Sequence, residues 1–327
     1  MSNVKNRGVY RTAESVSPKH PDKLCDQISD AILDAYLRED PLSRVAVDVA
    51  GGHGTVFITG EITSRAKDID PSAIARRITG NQASSQPYEI IERIAEQSPE
   101  IAHGVDTGGA GDQGIMVGYA CSETPEHLPL EYALARNLNK YLYKIWPHDG
   151  KTQITTHGGV VVAIVASFQH APGRELQEAV SEWLISEPLA KSAPELQLHI
   201  NPAGDWSVGG FDADAGLTGR KLAVDNYGPR VALGGGAFSG KDGTKVDRSG
   251  AYIARKIAVD YLRRRQATEV YVHLAYAIGY PQPVEATVTI DGKQEAISGY
   301  DLTPGGIIDT LNLREPRFEE RARWGHF

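Results

Sequence analysis

Residues 216–248 combine glycine with positive charge in a way that suits binding of a multiply charged anion. The segment GLTGRKLAVDNYGPRVALGGGAFSGKDGTKVDR holds six basic and three acidic residues, a local charge of +3 in a chain whose net charge is −8. Glycine has no Cβ, so backbone N–H groups can approach the anion closely, and phosphate is the usual ligand of such loops. A flexible glycine linker with solvated lysines is the alternative. The basic residues are Arg220, Lys221, Arg230, Lys241, Lys245 and Arg248.

The same segment contains a partial P-loop pattern. Residues 235–241 fit G-x-x-x-x-G-K, but Asp242 follows where a P-loop has Ser or Thr. The next predicted helix starts near Asp247, so no helix begins at the lysine as that motif requires. A P-loop phosphotransferase is therefore the least favoured of three functional hypotheses.

The segment ESVSPKHPDKLCDQISD places a histidine and a carboxylate at the start of a predicted helix. Pro21 suits the first helical position, so His20 lies at the helix N-terminus, where free N–H groups and the positive end of the dipole attract anions. A histidine there could donate to phosphate oxygens or to a leaving group. Asp22 could bind Mg²⁺, or it could only complement the helix dipole.

Two shorter segments are weaker candidates. In GGAGDQGIMVGYA, residues 108–120, glycines surround Asp112 and Gln113 just before a predicted strand, which indicates close approach to a ligand or a structural turn. In HDGKTQIT, Asp149 and Lys151 lie at the start of a strand, a pattern that ordinary turns share.

The elements that must position these residues follow a repeated pattern. Alternating or β-branched runs flank turns near residues 52, 158 and 281, which predicts three antiparallel hairpins and argues against a doubly wound parallel sheet. One amphipathic helix precedes each hairpin and another helical pattern follows it, so we infer three similar α+β units. The preceding helices cover residues 24–35, 130–145 and 247–264, and the following ones cover residues 89–96, 174–185 and 305–311.

Composition narrows the class of protein further. The chain has 327 residues, 41% of them hydrophobic, and its net charge of −8 disfavours partners such as nucleic acid or an anionic membrane. The longest apolar run, residues 160–166, is far short of the roughly 20 residues of a membrane helix. With two cysteines, Cys25 and Cys121, and no apolar stretch of signal-peptide type at the start, a cytoplasmic protein without a disulfide framework is expected.

Five motifs in this sequence resemble the S-adenosylmethionine synthetase (methionine adenosyltransferase) family. The most specific is GGGAFSGKDxxKVDRS at residues 234–249. The motifs follow the order of the family and span nearly the whole chain. The other four are ESVSxxHPDK at residues 14–23, GEIT at 60–63, GAGDQG at 109–114 and GLTGRK at 216–221.

The resemblance implies a reaction and an architecture. Family members attack C5′ of ATP with the sulfur of methionine, expel intact tripolyphosphate, and hydrolyse it to pyrophosphate and phosphate. The implied fold is α+β, with three similar βαββαβ subdomains over residues 8–107, 108–213 and 214–327 and mainly antiparallel or mixed sheets. Two subunits dimerise through flat sheet faces and share active sites at their interface, and tetramer formation is left open.

The resemblance also assigns roles to individual residues. His20 would stabilise the oxygen that leaves C5′, Trp206 would stack on adenine, and Ala237 would line the nucleotide site. Cations would clamp the polyphosphate: Lys151, Arg220, Lys221, Lys241 and Lys245, of which Lys245 would also contact methionine. Two Mg²⁺ ions would bind at Asp22 and Asp247, and K⁺ at Asp48. Asp149 would position the nucleotide and Asp214 the nucleotide and methionine, and the remaining methionine contacts would be Glu61, His103 and Asp112.

Departures from the family pattern modify these expectations. Asp48 stands where the family has a potassium-binding glutamate, so K⁺ dependence should be weaker. His103 stands where a glutamine contacts methionine, so recognition could become pH-sensitive, unless this is an ordinary loop histidine. Only residues 104–108 stand where a longer gating loop is usual, so lid closure should be reduced. The chain also stops at WGHF, where relatives continue.

Two functional hypotheses from different classes follow. The first is an active synthetase. The second is a degenerate homologue that binds nucleotide or regulates a partner without catalysis. Retention of the whole polyphosphate and metal set favours the enzyme, because a binder has no need for all of it.

Overall fold

The computed structural model describes residues 8–80, 87–96 and 108–327. Within these ranges the strands alternate with helices, and we number each type along the chain. The strands are β1 (Tyr10–Val16), β2 (Arg44–Gly52), β3 (Thr55–Thr63), β4 (Glu89–Ala95), β5 (Gly114–Cys121), β6 (Gly150–His157), β7 (Val160–Phe168), β8 (Ser192–Ile200), β9 (Gly216–Leu217), β10 (Glu269–Tyr276), β11 (Glu285–Ile290) and β12 (Lys293–Ala296). The helices are α1 (Pro21–Glu39), α2 (Pro71–Thr79), α3 (Leu130–Ile145), α4 (Gly173–Ser186), α5 (Leu222–Asp225), α6 (Val246–Arg265), α7 (Pro304–Leu311) and α8 (Phe318–Trp324).

The three predicted hairpins are confirmed. Strand β2 pairs antiparallel with β3, β6 with β7 and β10 with β11. The first turn depends on left-handed backbone at His53 and Gly54, with φ of 50° and 90°. The helices predicted before each hairpin are α1, α3 and α6, and two of those predicted after a hairpin are α4 and α7.

The helix predicted over residues 89–96 is wrong. These residues form β4, which runs parallel to β3 from the pair Thr55 and Glu89 to the pair Glu61 and Ala95. The isoleucines of EIIERIA are β-branched and suit a strand, and the free edge of β3 offers hydrogen bonds that a local reading does not see. The helix of this unit is α2, which starts earlier, where the Asp70 carboxylate accepts the N–H of Ala73 at 2.9 Å.

The strands of the described ranges form three four-stranded sheets, and each sheet takes one strand from a distant part of the chain. Their orders are β4-β3-β2-β9, β1-β6-β7-β8 and β12-β11-β10-β5. Thus β1 precedes α1 yet pairs with β6, β5 precedes α3 yet pairs with β10, and β9 precedes α6 yet pairs with β2. This exchange ties the three α+β units together, and their division at residues 107/108 and 213/214 stays a proposal.

The third unit differs from the other two at its outer edge. In the first and second sheets the outer strands β4 and β8 run parallel to their neighbours. In the third sheet β12 pairs antiparallel with β11. The turn between them has positive φ at Asp291 and Gly292, and α7 follows β12 instead of preceding it. The three units are therefore similar rather than identical.

Helix α1 is the central helix of the fold. Most of its residues are buried, against β2, β9 and helices α2 and α8. Leu24, Ile28 and Ile32 belong to the largest hydrophobic cluster, which also contains the apolar faces of β2 and α6. The N-terminal end of this rigid helix is where the candidate site begins. Among the described helices, none combines the length and apolar character that a bilayer crossing requires.

Candidate active site

His20 caps the N-terminus of α1, as predicted. Its Nδ1 accepts the backbone N–H of Asp22 at 3.1 Å, and Pro21 occupies the first helical position. Burial, together with the nearby ammonium groups of Lys221 and Lys151, lowers the pKa of His20 to about 3. The imidazole is thus neutral at physiological pH. Because Nδ1 accepts a hydrogen bond, the ring proton is assigned to Nε2, which is left as a donor.

Asp22 joins this helix end to the segment 216–221. Its carboxylate accepts the N–H of Leu217 at 2.9 Å and lies 2.5 Å from Nζ of Lys221 and 3.5 Å from Nε of Arg220. Burial opposes the charge on Asp22, but Lys221 and the Leu217 N–H outweigh it, so the pKa of Asp22 lies below its usual value. A Cβ on Gly216 would lie 2.2 Å from the carbonyl oxygen of Pro21, so glycine is required for this close approach.

A stripe of buried aspartates along α1 supports the site, and only its first member was selected from the sequence. The four residues recur every fourth position, so they share one face of the helix. Each carboxylate accepts a backbone N–H from a distant part of the chain. The pairs are Asp22 with Leu217, Asp26 with Gly219, Asp30 with Gly240, and Asp34 with Phe318.

The third aspartate fixes the glycine-rich loop 234–241. Asp30 and Arg248 form a fully buried bidentate pair with N–O distances of 2.6 and 2.8 Å. The same Arg248 donates to the carbonyl oxygen of Lys241 at 3.1 Å, and Asp30 accepts the N–H of Gly240 at 2.8 Å. The carboxylate of Asp30 and the guanidinium of Arg248 therefore hold the backbone on both sides of the Gly240–Lys241 peptide bond.

Lys241 and Asp247 face each other at the start of α6. Their Nζ and Oδ2 atoms are 2.6 Å apart. A Cβ on Gly236 would lie 2.1 Å from Oδ1 of Asp247, and one on Gly114 would lie 3.8 Å from it. The absence of a side chain at Gly236 thus lets the glycine-rich loop pack directly against the Asp247 carboxylate. Lys245 pairs with Asp242 at 2.5 Å instead of with Asp247.

Asp149 and Trp206 lie at the same end of the central hairpin, Asp149 directly before β6 and Trp206 beside β7. The Asp149 carboxylate accepts the N–H of Gly210 at 3.0 Å, and burial raises its pKa to about 6. The indole N–H of Trp206 donates to the Ser167 hydroxyl at 3.1 Å. Gln169, which was not selected from the sequence, accepts the N–H of Asp149 and donates to the carbonyl of Ser207. It positions both predicted nucleotide contacts.

Two predicted residues lie on the hairpin of the first sheet. Asp48 on β2 and Glu61 on β3 are on the face opposite the buried valines of β2. Burial raises the pKa of Asp48, and the ammonium of Lys241 opposes that effect. Ala46 pairs with Glu61 on one side and bridges to Lys241 on the other, so Glu61 and Lys241 flank one residue.

Within one chain the predicted site residues divide into two clusters. Across the described residues, no hydrogen bond or ion pair joins a member of one cluster to a member of the other. Ala237 lies where their loops touch, since its Cβ is 2.5 Å from a Cβ built on Gly219. His103 lies outside the described residues. The histidine cluster is His20, Asp22, Asp149, Lys151, Trp206, Asp214, Arg220 and Lys221, and the lysine cluster is Asp48, Glu61, Lys241, Lys245 and Asp247. Asp112, whose carboxylate accepts the N–H of Gln113, precedes β5 and is assigned to neither cluster.

The fold and the site define a three-sheet α+β protein with two clusters of cations and carboxylates, and comparison with known proteins gives the particular family. Models of the N-terminal, central and C-terminal domains of S-adenosylmethionine synthetase match residues 8–99, 107–206 and 208–327. The chain belongs to the S-adenosylmethionine synthetase family. The resemblance and the α+β fold expected from the sequence are both confirmed.

Curated relatives support this assignment over the full length. A protein of Brachyspira hyodysenteriae named S-adenosylmethionine synthase is 40% identical over 375 aligned positions, which cover 100% of this chain and 94% of the relative. Synthases of Salinibacter ruber and Treponema denticola are 40% and 41% identical and cover 97% and 99% of this chain, and 92% and 95% of those relatives. Since 375 positions align with 327 residues, the first relative carries internal residues that this chain lacks.

Proposed function

We propose that this chain synthesises S-adenosylmethionine from ATP and L-methionine. The observation that carries the proposal is the end of α1, where a neutral His20 and the cations Lys151, Arg220 and Lys221 surround a helix N-terminus. Such a site suits a polyphosphate leaving group, because backbone N–H groups, the helix dipole and ammonium groups all stabilise negative charge there.

In this reaction the protein must orient the two substrates and stabilise the negative charge that develops on the leaving group. A lone pair of the methionine sulfur forms the bond to C5′ of ATP, and the electron pair of the C5′–O bond leaves with tripolyphosphate. The thioether carries no proton, so no general base is required. Nε2–H of His20 would donate to the departing oxygen, while Lys151, Arg220 and Lys221 hold the phosphate chain. Hydrolysis to pyrophosphate and phosphate follows in the same site.

The remaining residues would bind the organic parts of the substrates. Trp206 would stack on adenine, with Asp149 and Asp214 toward the adenosine and methionine and Ala237 beside the nucleotide. Lys241 and Lys245 would complete the polyphosphate clamp from the lysine cluster. Glu61, His103, Asp112 and Lys245 would contact methionine.

The chemistry of the donor set fits Mg²⁺ at Asp22 and Asp247. Among the described residues, no three His, Cys, Asp or Glu side chains converge on one point. A single carboxylate completed by phosphate oxygens of the substrate is a common way to hold Mg²⁺. Bound there, Mg²⁺ would neutralise charge that develops on the phosphates. We place K⁺ at Asp48, with weak dependence because Lys241 is a competing cation.

We further propose that a complete site forms between two subunits. The two clusters of one chain are not bonded to each other, so the histidine cluster of one protomer would meet the lysine cluster of its partner. In an isologous dimer this arrangement gives two equivalent sites. The face of β2 and β3 that carries Asp48 and Glu61 would contribute to the contact. A homodimer is the minimum unit, and a tetramer is an extension of it.

A product assay tests the reaction. The protein is incubated with ATP, methionine, Mg²⁺ and K⁺, and the products are identified by mass spectrometry. S-adenosylmethionine with pyrophosphate and phosphate supports the proposal. Binding of ATP without turnover would support the degenerate homologue instead, and release of ADP would support a phosphotransferase.

A mixing experiment tests the shared site. Asp22→Asn and Asp247→Asn disable different clusters, so each variant alone should be inactive. If sites are shared, half of the randomly mixed dimers hold one intact site, and co-expression restores about a quarter of wild-type activity. If both clusters of one chain serve the same site, the mixture stays inactive. Mixing Asp22→Asn with Lys221→Ala, both in the histidine cluster, is the matched control and should restore nothing.

A further inference from the structure

The segment 325–327 contacts residues that position the histidine cluster and residues that position the lysine cluster. The backbone N–H of His326 donates to the carbonyl oxygen of Asp225 at 2.9 Å. Gly325 has φ of 103°, and a Cβ there would lie 2.7 Å from the same oxygen. The N–H of Asp225 in turn donates to the carbonyl oxygen of Lys221 at 2.8 Å. His326 is therefore two backbone hydrogen bonds from a cation of the histidine cluster.

The side chain of His326 points toward the other cluster. Its Nδ1 is 2.7 Å from the hydroxyl of Tyr252, and Nε of Arg248 donates to that hydroxyl at 3.1 Å. Arg248 can only donate, so the hydroxyl accepts from it. Burial and the charges of Arg248, Lys23 and Arg321 hold the pKa of His326 well below its usual value, so the ring is neutral. We assign the ring proton to Nε2, so that Nδ1 accepts the proton of the Tyr252 hydroxyl.

This series of hydrogen bonds ends at Lys241, a member of the lysine cluster. Arg248 donates to the carbonyl oxygen of Lys241 at 3.1 Å while it is paired with Asp30. The ring of Phe238, in the same glycine-rich loop, meets the His326 ring edge-on with centroids 5.0 Å apart. His326 thus contacts the loop of Lys241 both through Tyr252 and Arg248 and through Phe238.

We propose that His326 is a positioning residue that holds the glycine-rich loop of Lys241 in place. The inference rests on the proposed function, because Lys241 is assigned there to the polyphosphate. His326 touches neither substrate. It is buried, with 8% of its surface exposed, and its hydrogen bond to the Tyr252 hydroxyl adds to the one that Arg248 makes with the same oxygen.

Three substitutions separate hydrogen bonding from packing. His326→Phe keeps an aromatic ring but removes the acceptor, and Tyr252→Phe removes the hydroxyl. Each should lower kcat about tenfold, the effect of one lost hydrogen bond, with KM for ATP changed less than twofold. His326→Asn keeps an acceptor and should stay within about threefold of wild-type kcat. Glu320→Gln, on the exposed side of α8, is the control and should leave kcat unchanged.

A double-mutant cycle with Lys241→Ala shows whether the effect passes through Lys241. If it does, His326→Phe and Tyr252→Phe should each lower kcat less than twofold in the Lys241→Ala background. A tenfold loss in both backgrounds would overturn the inference, as would wild-type kcat in both single variants. Should His326→Phe not fold, the Tyr252→Phe cycle decides the question. Wild-type enzyme that makes no S-adenosylmethionine would refute the proposed function itself and is seen before any variant is made.

Discussion

Replacing Asp149 by asparagine should stabilise the protein while it disables the site. The Asp149 carboxyl is 7% exposed, and burial is the main reason why its pKa is raised from 3.8 to about 6. An amide of the same shape can still accept the N–H of Gly210 and carries no charge. Asp149→Asn should therefore remove the free-energy cost of a buried carboxylate.

The magnitude and its pH dependence follow from the raised pKa of Asp149. At pH 7 the folded state is less favourable by about 3 kcal/mol than it would be with the usual pKa. The folded state holds its proton more tightly, so this cost disappears well below pH 3.8, grows as pH rises from 3.8 to about 6, and is constant at higher pH. It amounts to about 1.6 kcal/mol at pH 5 and about 0.6 kcal/mol at pH 4.

Urea denaturation of ligand-free protein at matched concentration measures the difference. Asp149→Asn should be more stable than wild type by up to about 3 kcal/mol at pH 7, and the gap should nearly close at pH 4. Asp214→Asn, an exposed neighbouring carboxylate, is the control and should change stability by less than about 0.5 kcal/mol. Equal or lower stability of Asp149→Asn at pH 7 would refute the argument that burial of the charge is the main cause of the raised pKa.

Two further substitutions test the lysine cluster. Lys241→Ala should lower turnover by more than about a hundredfold with the melting temperature unchanged, because one group that stabilises developing charge is lost; near-wild-type kcat would remove Lys241 from the mechanism. Gly236→Ala would place a Cβ 2.1 Å from Oδ1 of Asp247, whereas the Cβ of Gly235→Ala meets nothing within 4 Å. Half-maximal activity should therefore need several-fold more Mg²⁺ for Gly236→Ala but not for Gly235→Ala. Equal Mg²⁺ requirements of the two variants would contradict the assignment of Mg²⁺ to Asp247.

Local sequence was sufficient where the information is local. Pro21 and His20 start α1 because a proline and a cap act within one turn of a helix. The three hairpins could be predicted because turn residues stand between runs of alternating or β-branched residues. The helix predicted over residues 89–96 is wrong because the spacing of the apolar residues there fits either a helix or a strand. Hydrogen bonding to the edge of β3 selects the strand.

The aspartate stripe shows the opposite case. Its spacing of four was visible in the sequence, yet a four-residue repeat of Asp on an amphipathic helix ordinarily marks a solvated face. The partners of Asp22, Asp26 and Asp30 lie 195, 193 and 210 residues further along the chain. Nothing local indicates that this face is buried or which loops it holds.

The sequence by itself determined the family, the order of the motifs and the types of group that we assign to polyphosphate binding, because those depend on residue identity and short spacing. Tertiary structure decided which strands are exchanged among the sheets, that Lys245 pairs with Asp242, and that the site residues form two clusters. Those properties arise from contacts between residues far apart in the chain, where burial and backbone hydrogen bonding select one partner among many.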